Sequence, residues 1–167
     1  MTNMNSNDPM TSFTSRLDGK KILFLVAEDW SFCSHRLPMA RAARDAGAEV
    51  HVGARENIHR DQIEREGFTF HPIDFDRSGL NPLKDWHTYL EIRSLYKSIK
   101  PDLVHHVAMK PVLYGSLAAL TSHKPAVVNA MIGLGYLFIA QSLKAKILRP
   151  IVKQLLRMLN NRKGTRL

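Results

Sequence analysis

Three basic side chains stand where they could hold an anion. His35 and Arg36 close the stretch EDWSFCSHR, which follows the first apolar run of the chain, and Lys110 follows a later run, DLVHHVA. A fifth run ends in the turn Gly133-Leu134-Gly135-Tyr136. A helix N-terminus presents unpaired backbone N–H groups and favours negative charge, so a cation beside it suits a phosphate or pyrophosphate. Each feature also has a plain reading: Arg36 as a solvated first-turn residue, Lys110 as a surface lysine, and the glycines as a tight connection that only small residues permit.

Other chemistries lack their parts. The single cysteine, Cys33, excludes an internal disulfide, and its nearness to His35 comes without the partner motif of a thiol nucleophile. His105 and His106 are neighbours on one strand and point to opposite faces, so they cannot easily share an ion; at least one is expected in the core. No spacing suggests a metal site. No Walker-type phosphate loop is present, and no GxGxxG follows the first run, which disfavours a nicotinamide-dependent dehydrogenase.

The elements that must position these residues follow from periodicity. Continuous or alternating apolar runs predict strands over 21–27, 49–54, 68–75, 102–108 and 126–132, with Pro72 marking the third as an edge or an early end. Helical spacing predicts helices over 34–46, 58–66 and 85–99, and a further one from Pro111 through 114–120. Strands alternating with helices predict an α/β fold, a Rossmann-like doubly wound parallel sheet with helices on both faces. Ligands of such sheets bind beyond the carboxyl ends of the strands, which selects the loops 28–35, 54–57, 75–84, 107–111 and 132–136.

Charge is unevenly placed. Residues 1–102 hold 14 basic and 15 acidic side chains, whereas residues 103–167 hold 10 basic and none acidic. The surplus suggests an anionic partner. From Leu143 onward apolar residues recur at helical spacing while Lys146, Arg149, Lys153 and Arg157 fill another face, with a kink at Pro150. That stretch reads as a packing helix with a solvated basic face, or as a membrane-surface helix with those four cations at anionic headgroups. Nucleic-acid binding is the weakest reading, since no such module is recognisable and no aromatic follows Phe138. Residues 1–19 are polar and turn-rich and read as a disordered tail rather than a secretory signal. The run 125–140 is shorter than the roughly 20 residues a spanning helix needs.

The order of three stretches carries a resemblance: KKILFLVAEDWSFCSHRLPMARAARDAGAEVHVGAR, SGLNPLKDWHTYLEIRSLYKSIKPDLVHHVAMKPVLYGSLAA and VVNAMIGLGYLF. Together they resemble the N-terminal domain of the family 4 glycosyltransferases, of GT-B architecture, in the branch that builds bacterial surface polysaccharides. The resemblance implies an acceptor-side Rossmann-like domain over 20–142 and a basic amphipathic helix over 143–167 leading toward a second, nucleotide-sugar-binding domain. It implies transfer of a hexose or N-acetylhexosamine from a nucleotide sugar to a lipid-linked saccharide, without a metal or cofactor. His35, Arg36, Lys110, Gly133, Gly135 and Tyr136 would form the acceptor wall. The expected partners are a donor domain, missing here or on a separate chain, the lipid-linked acceptor and an anionic membrane surface, but no nucleic acid. The expected location is cytoplasmic, peripheral at the inner face of the plasma membrane. Alone, the chain is expected to be inactive; the alternatives are a non-catalytic acceptor- or membrane-binding subunit, or a truncated remnant. Relatives often carry glycines where this chain has Trp30-Ser31-Phe32-Cys33, and a histidine near Asn129-Ala130-Met131. These departures leave the catalytic residues unassigned.

Overall fold

The computed structural model describes residues 17–76, 81–132 and the backbone of 165–166. The strands are β1 (Lys21–Glu28), β2 (Glu49–Arg55), β3 (Thr69–Pro72), β4 (Leu103–Val107), β5 (Ala126–Ala130) and the two-residue β6 (Thr165–Arg166). They form one sheet in the order β3-β2-β1-β4-β5-β6, and every pair is parallel. The helices are α1 (Asp29–His35), α2 (Leu37–Asp45), α3 (Arg60–Arg65), α4 (Pro82–Ile99) and α5 (Met109–Leu120). This is the doubly wound arrangement expected from the alternation of runs.

The central strand shows why its sequence is apolar throughout. Side chains alternate across a strand, so Ile22, Phe24 and Val26 face one layer while Leu23 and Leu25 face the other. The first layer is closed by Phe32 of α1, Leu37 and Ala40 of α2 and Ile63 of α3. The second is closed by Tyr89, Ile92 and Tyr96 of α4 and Ala118 and Ala119 of α5. A strand covered on both faces has no solvent side on which to place polar residues.

One polar chain crosses the second layer. His106 is fully buried and bridges Tyr96 Oη at 2.6 Å and Asn129 Oδ1 at 2.7 Å. An amide oxygen only accepts, so His106 Nδ1 carries the proton and Nε2 accepts from the tyrosine hydroxyl. Burial holds the imidazole neutral, with its pKa lowered to about 4. Gly115 of α5 lets the helix sit directly on this ring: a Cβ there would lie 2.6 Å from His106 Nε2 and 2.8 Å from Leu25 Cδ2.

Several boundaries differ from the periodicity. The helix expected over 34–46 is two helices that break at Arg36, and the first begins immediately after β1. Pro38 explains the break, because its ring would clash with the carbonyl of Ser34 in a continuous helix, whereas a first turn tolerates it. Helix α4 starts at Pro82 instead of residue 85, since Asn81 accepts hydrogen bonds from Leu83 N and Lys84 N as its cap. Strand β3 stops at Pro72 and is an edge strand, as the proline suggested. The pairing of Thr165–Arg166 beside β5 was not anticipated; periodicity assigned that end of the chain to the basic helix. The rest of the 143–167 stretch lies outside the described residues.

Candidate functional site

The connections leave the sheet in opposite directions from β1 and from its neighbour β4, and the carboxyl ends of these two strands border a crevice. A cavity of about 260 Å³ lies there. Its wall comes from four strand ends: Ala27 and Glu28 of β1, Phe75 and Asp76 after β3, Ala108 to Lys110 after β4, and Ile132 after β5. Glu28, Asp76 and Lys110 give this apolar-walled space two carboxylates and one ammonium group.

Each polar group is held by its surroundings. Glu28 is 8% exposed and accepts from Asn57 Nδ2 at 2.9 Å. The next residue, Asp29, is fully buried and accepts from Asn57 N at 2.7 Å, Asn57 Nδ2 at 2.9 Å and His59 N at 3.1 Å. Burial alone would push the Asp29 carboxyl upward in pKa, but these donors outweigh it and hold the pKa below the usual value. The loop after β2 is thereby fastened to the turn after β1. Lys110 Nζ donates to Asp85 Oδ1 of α4 at 3.0 Å, with both side chains mostly buried. The Tyr114 phenol, one turn further along α5, also bonds Asp85, and burial together with that carboxylate pushes its pKa well up. Lys110 is thus braced at the cavity wall as a fixed cation.

The backbone at this wall is strained. Ala108 precedes α5 with φ 82 and ψ 166, a region that essentially only glycine visits freely. Its N–H donates to Ala130 O and its carbonyl accepts from Val112 N, so neighbours on both sides hold the conformation.

Of the expected site residues, His35, Arg36 and Lys110 are among those described. Lys110 lines the cavity. Arg36 is half-buried beside His105, whose pKa falls to about 4 through burial and then through the Arg36 charge. His105 stacks edge-on against Phe24. Arg36 Nε and His105 Nε2 are both buried without a hydrogen-bond partner. His35 is exposed in the last turn of α1. Gly133, Gly135 and Tyr136 lie outside the described residues, as do Lys146, Arg149, Lys153 and Arg157; Ile132, at the entry to the glycine turn, lines the cavity. The Cys33 thiol is pushed up by burial and by the charges of Asp29 and Glu66, the wrong direction for a nucleophile. Among the described residues no three His, Cys, Asp or Glu side chains form a group that could hold a metal.

Sequence reasoning selected the loops holding Glu28, Asp76 and Ala108 without singling these residues out. Glu28 ends an apolar run, and that was the available signal. The Asp85–Lys110 pairing is a tertiary contact with no local signature.

With the crevice defined, comparison with known proteins gives its context. The sequence profile of the glycosyl transferase 4-like family matches residues 21–162. The chain belongs to that family. Within it, the chain is similar to the N,N'-diacetylbacillosaminyl-diphospho-undecaprenol alpha-1,3-N-acetylgalactosaminyltransferase of Campylobacter jejuni, at 25% identity over 138 residues, covering 83% of this chain and 37% of that protein. It is also similar to an Acidovorax UDP-N-acetylglucosamine--N-acetylmuramyl-(pentapeptide) pyrophosphoryl-undecaprenol N-acetylglucosamine transferase, at 28% identity over 102 residues, covering 56% of this chain and 26% of that protein. Among solved structures, MurG of Acinetobacter baumannii superposes with a TM-score of 0.55 at 17% identity, over 67% of this chain and 35% of that one, a likeness of fold. The chain spans little more than a third of the first of these relatives and about a quarter of the second. No helix among the described residues is long and apolar enough to cross a membrane.

Proposed function

We propose that this chain supplies the acceptor-side half of a glycosyltransferase that moves a hexose or N-acetylhexosamine from a nucleotide sugar to a lipid-linked saccharide. The observation that carries the reading is the cavity at the carboxyl ends of β1 and β4, which sets Glu28 and Asp76 within one wall and Lys110 beside them. Carboxylates accept hydrogen bonds from sugar hydroxyls, and a braced ammonium suits a diphosphate oxygen. A saccharide joined to a diphosphate needs both. Both curated relatives are named for work on diphospho- or pyrophosphoryl-undecaprenol-linked saccharides, which supports the same acceptor class. The donor sugar nucleotide would be held by a second domain, on a longer form of the chain or a separate one, facing this crevice. The enzyme would act as a peripheral protein on the cytoplasmic face of the plasma membrane, where such an acceptor is anchored.

Calorimetric titration with a short-prenyl diphosphate N-acetylhexosamine tests this. Lys110→Ala should weaken binding by about tenfold or more, the worth of one charge-assisted hydrogen bond, while Lys124→Ala, away from the cavity, leaves it unchanged. Equal affinity of parent and Lys110→Ala, or no binding by the parent, would overturn the assignment.

A further inference from the structure

Away from the crevice, two histidines meet near the sheet's β3 edge. His51 of β2 is in register with Leu23 of β1 and Thr69 of β3, and His71 of β3 with Gly53 of β2. Side chains two residues apart on a strand share a face, so both histidines stand on the side of the second layer. His51 is 5% exposed and His71 half-buried. His51 Nδ1 and His71 Nε2 lie 3.0 Å apart, with the ring planes tilted by 32°. Burial lowers the pKa of both rings, which are therefore neutral near pH 7 and able to offer a lone pair.

The far nitrogen of His51 faces a carboxylate. Its Nε2 lies 2.9 Å from Glu49 Oε1, and Lys21 Nζ lies 3.6 Å from the other oxygen of that group. A carboxylate beside Nε2 keeps the proton on that nitrogen and leaves Nδ1 as the lone pair turned to His71, which is how metal-bound histidines are oriented from behind. The contact is close but lacks the alignment of a full hydrogen bond, so the pair as it stands leaves a buried ring nitrogen unsatisfied. His71 also borders a cavity of about 330 Å³ between the β3 end and α4, whose walls include Glu91, Ser94 and Ser98. The pair thus has polar space beside it for water.

We infer that His51 Nδ1 and His71 Nε2 together hold a late divalent transition ion, of the class of Zn²⁺ and Ni²⁺, with water from the cavity completing its shell. Imidazole nitrogen suits these ions, whereas Mg²⁺ and Ca²⁺ take oxygen. At metal–nitrogen bonds of about 2.0–2.1 Å, two ligands of one ion sit about 2.9 Å apart at a right angle and about 3.3 Å apart at the tetrahedral angle. The observed separation of 3.0 Å falls between the two. The same nitrogens are otherwise joined by a hydrogen bond, His71 Nε2–H donating to His51 Nδ1. For the ion to enter, His71 takes the tautomer with its proton on Nδ1, and its ring turns so that both lone pairs converge. The ion then clips the edge strand β3 to β2. The chain beyond β3 reaches Phe75 and Asp76 at the crevice within a few residues, so occupancy stiffens one border of the crevice from outside it. The site goes beyond the acceptor reading, and neither depends on the other.

Calorimetric titration of the whole chain, stripped with EDTA and dialysed, tests this with ZnCl₂ and NiCl₂ and with MgCl₂ as the control. Zn²⁺ and Ni²⁺ should bind saturably and Mg²⁺ should not, and the urea midpoint should rise with Zn²⁺ concentration. His71→Gln, which keeps a polar group at a half-buried position, should lower Zn²⁺ affinity by about tenfold or more. Glu49→Gln, which touches no ion, should lower it by about tenfold through loss of ring orientation. His87→Gln, on the exposed side of α4, should leave it unchanged. Ni²⁺ at low occupancy should broaden the imidazole NMR signals of His51 and His71 before those of the other six histidines, a readout on the parent that holds whether or not the variants fold. The inference is overturned if the parent binds neither Zn²⁺ nor Ni²⁺ saturably, or if folded His71→Gln binds as tightly as the parent. It is equally overturned if His87→Gln abolishes binding, or if broadening begins at histidines other than this pair.

Discussion

Acidification should strip stability from this domain in a pH window set by histidines. His105 and His106 are 6% and 0% exposed and both have pKa values lowered to about 4, chiefly by burial. In the unfolded chain each returns to the ordinary value near 6.5. Above that value both states are neutral and neither histidine affects folding. Below it the unfolded chain binds protons that the folded chain refuses, so stability falls until the folded value near 4 is reached. At about pH 4.5 the linkage amounts to roughly 2–3 kcal/mol per histidine, or about 5 kcal/mol for the pair. His51 and His71, also lowered by burial, add to the loss in the same direction. The lowered carboxylates Asp29, Glu66 and Asp102 act in a lower window, because their unfolded values lie near 4. Against a typical total of about 5–15 kcal/mol, the histidine loss alone removes roughly a third or more of the stability by about pH 4.5. Urea melts at half-unit steps from about pH 7.5 measure it, and the imidazole NMR signals assign it. His105→Phe, which keeps the contact with Phe24, should remove nearly half of the loss due to the pair. Titration of His106 in the folded protein with a midpoint near 6.5, or a flat urea midpoint between about pH 6.5 and 4.5, would refute the reasoning.

Two further outcomes follow from the backbone. Gly115→Ala gains about 1 kcal/mol of helix propensity but places a Cβ 2.6 Å from His106 Nε2; net destabilisation of roughly 2 kcal/mol or more is expected in denaturant melts, and a stabilised variant would show that α5 does not sit on His106. Ala108→Gly should stabilise by about 1 kcal/mol, because relief of the positive φ exceeds the entropy a glycine adds to the unfolded chain; a loss of stability would place Ala108 in an ordinary backbone region.

The sheet was legible because its strands are written as apolar runs, and the run KILFLVA could be buried on both faces without any tertiary knowledge. Helix starts were harder to read. Asn81 caps α4 through two backbone N–H groups, a signal present in the sequence but outweighed by the later apolar periodicity. The break at Arg36 was hidden because Pro38 is compatible with a helix start as well as with a kink. The opposite orientation of His105 and His106 followed from strand geometry, but the burial of both, and the bonding of His106 alone to Tyr96 and Asn129, required the tertiary structure. At the site, the loops were readable from topology and the partners were not. Lys110 was selected by its position after β4, whereas Asp85, 25 residues earlier, has no local mark as its counter-ion. His35 and Arg36 are adjacent in sequence, and the helix break sends one to solvent and leaves the other half-buried beside His105.

The clasp formed by Asp29 bears on how this crevice can diverge. One buried carboxylate serves the amide of Asn57, its side chain and the amide of His59, so the loop after β2 cannot change length or path without orphaning a charge inside the protein. Insertions and substitutions on that bank meet a folding penalty before they reach any ligand. The loop after β3 borders the same cavity and is fastened to α4 instead, by Thr88 Oγ1 donating to Asp74 O at 2.7 Å and by Lys84 beside Asp76.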